Sequence, residues 1–213
     1  MSPRESEWGS ARLYLGGSGS FAVEVGEWAS DAGHDVAGLI ELLDRTRVGQ
    51  RVGGHEIVAE PPAYVDAVAV AVVAAGGSRR DHWTTLRERG WRPGAVIHSR
   101  ASVSPSAQLG AGCVIGPGAI VGAETVVGDH ALISRGTLVG HHVRIGAFVS
   151  LLPGANVAAS VEIGEATTVG MGAVIVDHAS VGADAIVAAG AVVLGEVPDG
   201  VRVQGVPARA FAR

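Results

Sequence analysis

The stretch IGPGAIVGAETVVGDHALI, residues 115–133, carries the pattern that decides the fold, because an aliphatic residue returns at every sixth position. The repeat continues without a miss in both directions and fills seventeen positions. These positions are Ile97, Val103, Leu109, Ile115, Val121, Val127, Ile133, Val139, Ile145, Leu151, Val157, Ile163, Val169, Ile175, Val181, Val187 and Val193. Glycine often follows directly, and a small or β-branched residue stands four positions later.

A strict period of six matches neither an α-helix, with its period of about 3.6, nor an isolated strand, with its period of about 2. It is the signature of a parallel β-helix, in which each hexad lays one short strand along one side of a prism. In the left-handed, three-sided form, residues 18 apart lie above one another, so these hexads predict between five and six coils. We expect the aliphatic residues to fill the interior, the small residues to pack at the corners, and the glycines to allow positive φ in the turns.

The chain before the repeat alternates between strand and helix patterns. Strands are predicted at 12–15, 35–40 and 67–73, and amphipathic helices at 21–32 and 78–89. The alternation predicts a small α/β, Rossmann-like domain over residues 12–95. We therefore divide the chain into a polar tail at 1–11, this domain, an all-β parallel β-helix at 96–198, and a C-terminal tail at 199–213.

The start of this domain has a candidate nucleotide site. Gly17-x-Gly19-x-x-Ala22 fits a phosphate-binding loop between a first strand and a first helix. Glu41 follows the second strand, where a carboxylate can accept hydrogen bonds from a ribose or a base. Arg79 and Arg80 open the later helix, where they either clamp a diphosphate or form a solvated helix start. The small domain favours a mononucleotide or nucleotide sugar over a dinucleotide, and a tight turn without any ligand remains the alternative.

The composition excludes several classes of function. A net charge of −5 without any basic run argues against a nucleic-acid surface. All sixteen basic residues are arginine, which rules out lysine chemistry, and the single Cys113 allows no disulfide framework. The longest apolar run, at 65–75, is too short to span a membrane, and no signal peptide precedes the first strand, so we expect a cytoplasmic protein.

The repeat contains four histidines that suit a base near neutral pH: His130, His141, His142 and His178. His141 and His142 lie just outside a buried position, so their side chains are expected to face solvent or a neighbouring subunit. The register of 18 places Glu124 below His142, and Ala159 above His141. We hypothesise that Glu124 orients His142, and that the small neighbours leave a groove beside His141.

Motifs in chain order resemble a known family. They are Gly16-Gly17-Ser18-Gly19, then Val96-Ile97-His98-Ser99-Arg100-Ala101, then Gly140-His141-His142, and finally Gly205-Val206-Pro207-Ala208-Arg209. Over residues 12–211 the chain is similar to the sugar O- and N-acyltransferases of the sialic-acid and bacillosamine acetyltransferase family. The resemblance implies a homotrimer of left-handed β-helices that moves acetyl from acetyl-CoA to a hydroxyl or amine of a sugar, without a metal.

The resemblance also implies site residues. The general base falls on His141, and His142 and Glu124 are its expected supports. We expect contacts with a nucleotide-linked sugar at Gly17, Ser18, Gly19, Ser20, Glu41 and Arg80. We expect contacts with the cofactor at Ser150, Ala159, Met171 and Ala189. Backbone N–H groups would stabilise an oxyanion. Because no long loop leaves the coils, a neighbouring subunit must form the other side of the site.

The chain departs from the family pattern at three positions. His142 stands where many relatives have a carboxylate, Ser150 where many have a second histidine, and Ser20 replaces a histidine common in the glycine loop. Two other functions therefore stay open. One is a non-catalytic β-helix that binds a nucleotide sugar or assembles partners. The other is a zinc-dependent hydratase with three histidines across a subunit interface, as in β-helical carbonic anhydrases.

Overall fold

The computed structural model describes residues 12–59, 67–71 and 76–211. An N-terminal sheet with two helices packs on a parallel β-solenoid whose three sheets form the sides of a prism. The predicted parallel β-helix is confirmed. Each strand of the solenoid pairs in parallel with the strand one coil later, as in Val121 with Val139 and Val139 with Val157. This register is the spacing of three hexads.

The described residues of the N-terminal part form six strands, two helices and a 3-10 turn. These are β1 (Arg12–Gly16), α1 (Ser20–Asp31), β2 (Val36–Ile40), the turn Arg45–Arg47, β3 (Arg51–Val52), β4 (His55–Val58), β5 (Ala67–Ala71), α2 (Gly76–Glu88) and β6 (Arg92–Pro93). The sheet order is β3-β4-β2-β1-β5-β6, and among these described strands only the β3–β4 pair is antiparallel. The hairpin was not expected from the sequence, and the Rossmann-like description stays a prediction. The predicted tail at 1–11 and the last two residues of the predicted third strand lie outside the described residues.

The solenoid has seven, six and six parallel strands in its three sheets. The first coil sheet contains β7 (Val96–Ile97), β10 (Val114–Ile115), β13 (Leu132–Ile133), β16 (Ser150–Leu151), β19 (Thr168–Val169), β22 (Ile186–Val187) and β25 (Arg202–Gln204), with β26 (Arg209–Ala210) antiparallel at its edge. The second contains β8 (Ser102–Val103), β11 (Ile120–Val121), β14 (Leu138–Val139), β17 (Asn156–Val157), β20 (Val174–Ile175) and β23 (Val192–Val193). The third contains β9 (Gln108–Leu109), β12 (Val126–Val127), β15 (Arg144–Ile145), β18 (Glu162–Ile163), β21 (Ser180–Val181) and β24 (Glu196–Val197). Because β25 pairs with β22, the coils extend past the expected end at residue 198.

The interior of the prism is filled as the repeat predicts. Aliphatic repeat residues from Ile115 to Val193 are buried in one cluster, together with small corner residues such as Cys113 and Ala119. Thr125 and Thr167 are also completely buried, and each donates its hydroxyl hydrogen to a turn carbonyl. Each buried valine or isoleucine contributes about 1.5–3 kcal/mol. A regular column of such residues therefore stabilises the coils without help from long loops.

The expectation that the repeat glycines supply positive φ is wrong. Positive φ falls two residues later in the turn, at residues that include Glu124 and His142, with φ of 57° and 58°. The repeat glycines serve close approach between coils instead. A Cβ on Gly140 would lie 2.8 Å from the carbonyl carbon of Ala158 and 2.8 Å from the amide nitrogen of Ala159. The stacking distance between coils, rather than the turn angle, therefore requires glycine there.

The N-terminal part docks on the first coil sheet through an apolar cluster. Val25 and Trp28 of α1 pack with Val96, Val114 and Leu132, whose side chains face outward from that sheet. This docking fixes where the end of β1 and the start of α1 stand relative to the coils. In the part of the chain that the structure describes, no helix is long and apolar enough to cross a membrane.

Candidate functional site

His141 and His142 lie in the turn between β14 and β15, at the corner that joins the second and third coil sheets; we call it the His141 corner. The two rings meet edge to face, with an interplanar angle of 88°, and their Nδ1 atoms are 3.0 Å apart. Both side chains are exposed. Because one of the two nitrogens must donate and the other must accept, each imidazole determines the tautomer of the other.

The hypothesised link from Glu124 to His142 is not formed. Among the described residues, the Glu124 carboxylate has no hydrogen bond or ion pair with an imidazole, and its backbone N–H donates to Ser106 Oγ at 3.0 Å. The register that stacks Glu124 below His142 is correct. The two side chains nevertheless form no hydrogen bond, and the Nδ1 atom of His142 pairs with His141 instead.

The glycine loop joins β1 to α1 as the sequence predicts. Gly17 has a φ of 138°, and its N–H donates to the carbonyl of Ile40 at 3.0 Å. Gly19 is the N-cap residue of α1, and no side chain of the described residues caps the helix. The first N–H groups of α1 and the positive end of its dipole are therefore placed to bind an anion such as a phosphate.

Glu41 lies at the end of β2 and is buried. Its Oε1 atom accepts hydrogen bonds from the backbone N–H groups of Leu42, Leu43 and Asp44 at 2.8–3.0 Å, and its Oε2 atom accepts one from the hydroxyl of Ser18. Burial alone would raise the pKa of this carboxyl, but the hydrogen bonds lower it to about 2. Glu41 thus holds the glycine loop in shape, a role that sequence reasoning did not foresee.

Arg47 is a site residue that the sequence analysis missed. Its guanidinium reaches from the 3-10 turn to the glycine loop, where Nη1 donates to Ser18 Oγ at 2.6 Å and Nη2 to the Ser18 carbonyl at 3.1 Å. Nη1 is also 3.4 Å from Glu41 Oε2. The signal was a basic residue six positions after Glu41, the acidic residue that follows β2. The result is a positive charge beside the predicted phosphate loop.

The diphosphate clamp predicted for Arg79 is wrong. Arg79 is almost completely buried, and its guanidinium donates at 2.8 Å to the carbonyls of His130, Phe148 and Val149 and to Ser150 Oγ. Burial lowers its pKa to about 10, so it stays charged at neutral pH. Arg79 therefore fastens α2 to the corner between the third and first coil sheets.

Arg80, for which a nucleotide contact was expected, also faces the solenoid. Its Nη2 atom is 2.9 Å from Glu165 Oε1 and 3.8 Å from Asp184 Oδ1. Its guanidinium carbon lies 6.0 Å from the centre of the Phe148 ring. The two carboxylates on successive coils account for this orientation, which the helix pattern alone did not indicate.

His130 is a structural residue rather than a base. Its ring is stacked between Trp83 and Phe148, with centroid distances of 4.3 and 5.0 Å. Burial is the main cause that lowers its pKa to about 4, and the charge of Arg79 lowers it further. His178, in contrast, is exposed at the His141 corner.

The predicted cofactor residues occupy three different places. Met171, with 56% of its surface exposed, and Ala189 lie at the corner between the first and second coil sheets. Ala159 lies at the His141 corner, where its N–H donates to Asp177 Oδ1 at 2.8 Å. Ser150 is completely buried beneath Arg79, so its hydroxyl is not on the surface of the coils.

A groove of about 380 Å³ connects the predicted substrate and cofactor regions. It lies between the first turns of α1 and the corner of the first and second coil sheets. Its lining residues are Ser20, Phe21, Glu24, Leu132, Ser134, Arg135, Leu152, Pro153 and Met171. Glu24 and Arg135 form an ion pair at 2.8 Å across it. A larger groove of about 670 Å³ follows the third coil sheet and touches none of the predicted site residues.

The possible metal ligands of one chain do not form a cluster in the residues that the structure describes. Among residues 12–59, 67–71 and 76–211, no three side chains of histidine, cysteine, aspartate or glutamate cluster at metal-ligand distances.

No family model and no curated protein matches the chain, whereas solved structures do. A mutant of perosamine N-acetyltransferase from Caulobacter crescentus, in complex with CoA and GDP-perosamine, is 30% identical, with a TM-score of 0.86 over 95% of this chain and 97% of that one. The acetyltransferase domain of PglB from Neisseria gonorrhoeae, in complex with acetyl coenzyme A, is 30% identical, with a TM-score of 0.85 over 95% and 100%. WeeI from Acinetobacter baumannii, at 23% identity and a TM-score of 0.84 over 94% and 100%, shares the fold.

Proposed function

Because the chain belongs to the sugar acyltransferases built on a hexapeptide-repeat left-handed β-helix, we propose that it transfers acetyl from acetyl-CoA to an amine of a nucleotide-linked sugar. The observation that carries this proposal is the similarity to two acetyltransferases bound to CoA or acetyl-CoA, at 30% identity over nearly their whole chains. One of them also holds a nucleotide-linked amino sugar. The similarity spans both the N-terminal sheet and the solenoid, and therefore both predicted ligand regions.

His141 is the general base of the proposed reaction. When its Nδ1–H donates to Nδ1 of His142, its Nε2 atom carries a free lone pair that can accept a proton. Once protonated, His141 has two N–H donors, and the bond to His142 keeps the same direction. His142 thus does for His141 what a carboxylate does in relatives, though without a negative charge. It is a positioning residue, and the distance of 3.0 Å supports this role.

The transfer is a simple exchange of bonds. The sugar nitrogen attacks the thioester carbon and loses a proton to Nε2 of His141. The tetrahedral intermediate places negative charge on the carbonyl oxygen, where backbone N–H groups can stabilise it. The C–S bond then breaks, and the CoA sulfur takes the proton back from His141. An amide and a thiol result, with no metal in any step.

The nucleotide of the acceptor binds at the glycine loop in this proposal. The uncapped start of α1 after Gly19 suits the phosphates, and Arg47 adds a positive charge at Ser18. The contacts of Gly17 and Ser20 remain predictions. Glu41 acts through the loop, because its oxygens are already taken by Ser18 and three backbone N–H groups.

The proposed site needs a neighbouring subunit. The glycine loop and Met171 lie on the side of the first coil sheet, whereas His141 lies at the far edge of the second. The second coil sheet between these corners exposes Ile120 and Leu138, at 47% and 42% of their surfaces. Packing of these sheets around a threefold axis would bring one chain's groove toward the next chain's His141. A homotrimer is therefore part of the proposal, and the cytoplasmic location stays a prediction.

Thiol release from acetyl-CoA tests the proposal, with a panel of GDP-, UDP- and dTDP-linked amino sugars. We expect His141→Ala to lower kcat by about 10²–10⁴-fold, the usual contribution of a general base. His142→Ala should lower it less. His178→Ala is the matched control, because His178 is an exposed histidine with φ of 60° at the same corner and should keep wild-type turnover. Full activity of His141→Ala would refute the assignment of the base. Nucleotide-sugar binding without turnover by the wild type would favour the non-catalytic alternative.

A further inference from the structure

Three turns of the solenoid share the same hydrogen bond between a backbone N–H and an aspartate side chain. The second residue of the turn makes no main-chain hydrogen bond through its N–H within the described coils, and an aspartate from the next coil accepts that N–H instead. The pairs are Ala111 with Asp129 at 2.8 Å, Ala159 with Asp177 at 2.8 Å, and Ala183 with Asp199 at 2.7 Å. Two of the three pairs lie at the corner between the third and first coil sheets, away from His141. This hydrogen bond therefore stabilises turns in general.

The pair of Ala159 and Asp177 differs from the others by its place. The register of β14 with β17 sets Ala159 directly above His141. An alanine side chain has no donor, and the N–H groups of Ala158 and Ser160 donate to main-chain carbonyls, so the backbone N–H of Ala159 is the donor of this turn for which a ligand could compete. A thioester carbonyl attacked there needs such a donor for the negative charge that develops on its oxygen. The donor is occupied by a carboxylate.

We infer that Asp177 guards the acyl site: its carboxylate holds the N–H of Ala159 until the carbonyl of acetyl-CoA displaces it. The inference rests on the proposed function. Asp177 is exposed, so its carboxylate has room to rotate into solvent. If it stayed, a full negative charge would stand beside the oxygen that becomes negative, which would oppose the reaction. Asp177 thus competes with the thioester carbonyl but not with the rest of the CoA molecule.

A comparison of the affinities for acetyl-CoA and for CoA isolates the competition between Asp177 and the thioester carbonyl, because CoA lacks that carbonyl. Calorimetric titration should show that Asp177→Ala binds acetyl-CoA more tightly by roughly 3- to 10-fold, the worth of one competing hydrogen bond. Its affinity for CoA should not change. Asp199→Ala, which frees an equivalent N–H away from His141, should alter neither affinity. Asp177→Asn keeps an acceptor for the N–H and should lie closer to the wild type.

Steady-state kinetics provide a second readout. We expect Asp177→Ala to lower the KM for acetyl-CoA while the KM for the sugar acceptor stays constant, a split that mere loosening of the turn would not produce. Equal changes for acetyl-CoA and CoA, no change, or weaker acetyl-CoA binding in Asp177→Ala would overturn the inference alone. A wild-type protein that binds neither molecule would overturn both the inference and the proposed function.

Discussion

Substitution of Gly140 by alanine tests why glycine recurs in the repeat. The new methyl carbon would stand 2.8 Å from two backbone atoms of the coil above, at Ala158 and Ala159, where contacts below about 3.4 Å are strongly repulsive. Backbone in a stacked coil cannot rotate away as a flexible side chain can. We therefore expect Gly140→Ala to lower the free energy of unfolding by about 2–3 kcal/mol, toward the upper end of overpacking costs.

Two other glycines separate close approach from backbone conformation. Gly136 has a φ of 64° and nothing within 4 Å of an added Cβ, so Gly136→Ala should cost about 1 kcal/mol from the left-handed conformation alone. Gly195 has neither restriction, and Gly195→Ala should be neutral or more stable by up to about 1 kcal/mol.

Urea unfolding of the three variants at one fixed protein concentration provides the comparison, since assembly makes apparent stability depend on concentration. The order of stability should be Gly195→Ala, then Gly136→Ala, then Gly140→Ala. A Gly140→Ala variant as stable as the wild type, or less affected than Gly136→Ala, would refute the explanation by coil spacing.

Two further predictions concern acid stability. The pKa of His130 falls from 6.5 to about 4 on folding, so at this site only the unfolded chain gains a proton between these values. His130 alone should therefore lower the free energy of unfolding by about 2 kcal/mol from pH 7 to pH 5, and His130→Phe should remove that part of the decline in urea unfolding. The pKa of Glu41 falls from 4.5 to about 2 on folding, so its stabilising contribution is complete above pH 4.5 and is lost as the pH falls toward 2. Glu41→Gln should cost about 1–3 kcal/mol at pH 7 and flatten the decline below pH 4.5, whereas an unchanged decline would contradict the hydrogen-bond network seen at Ser18.

The class of protein followed from the sequence. A chain with an aliphatic residue at every sixth position, and no insertion for nearly a hundred residues, has one regular way to bury all of them. The register of 18 then places every corner residue without any structure, which is why the stacking of Ala159 on His141 was predicted correctly. Family motifs added the activity, and the similarity to CoA-bound acetyltransferases confirms a sugar acetyltransferase.

The side-chain partners were much less predictable than the backbone positions. Among the described residues, Glu124 stacks below His142 but forms no hydrogen bond or ion pair with it, and His142 pairs with His141 instead. A carboxylate and an imidazole at the right register can still orient differently, since the rotamers depend on all neighbours together. The role of the repeat glycines was misjudged for a similar reason: their sequence pattern does not distinguish a positive φ from a close approach between coils.

The hexad repeat by itself thus determined the solenoid, its interior and the place of His141 on its surface, because a local pattern repeated at constant spacing leaves the backbone no alternative. Only the tertiary structure decided how the N-terminal part uses its arginines. Arg79 bonds to carbonyls 51 to 70 residues away, and Arg47 reaches back 29 residues to Ser18. No local periodicity records which buried acceptors a long, charged side chain will meet, since these pairings arise when separately formed elements dock.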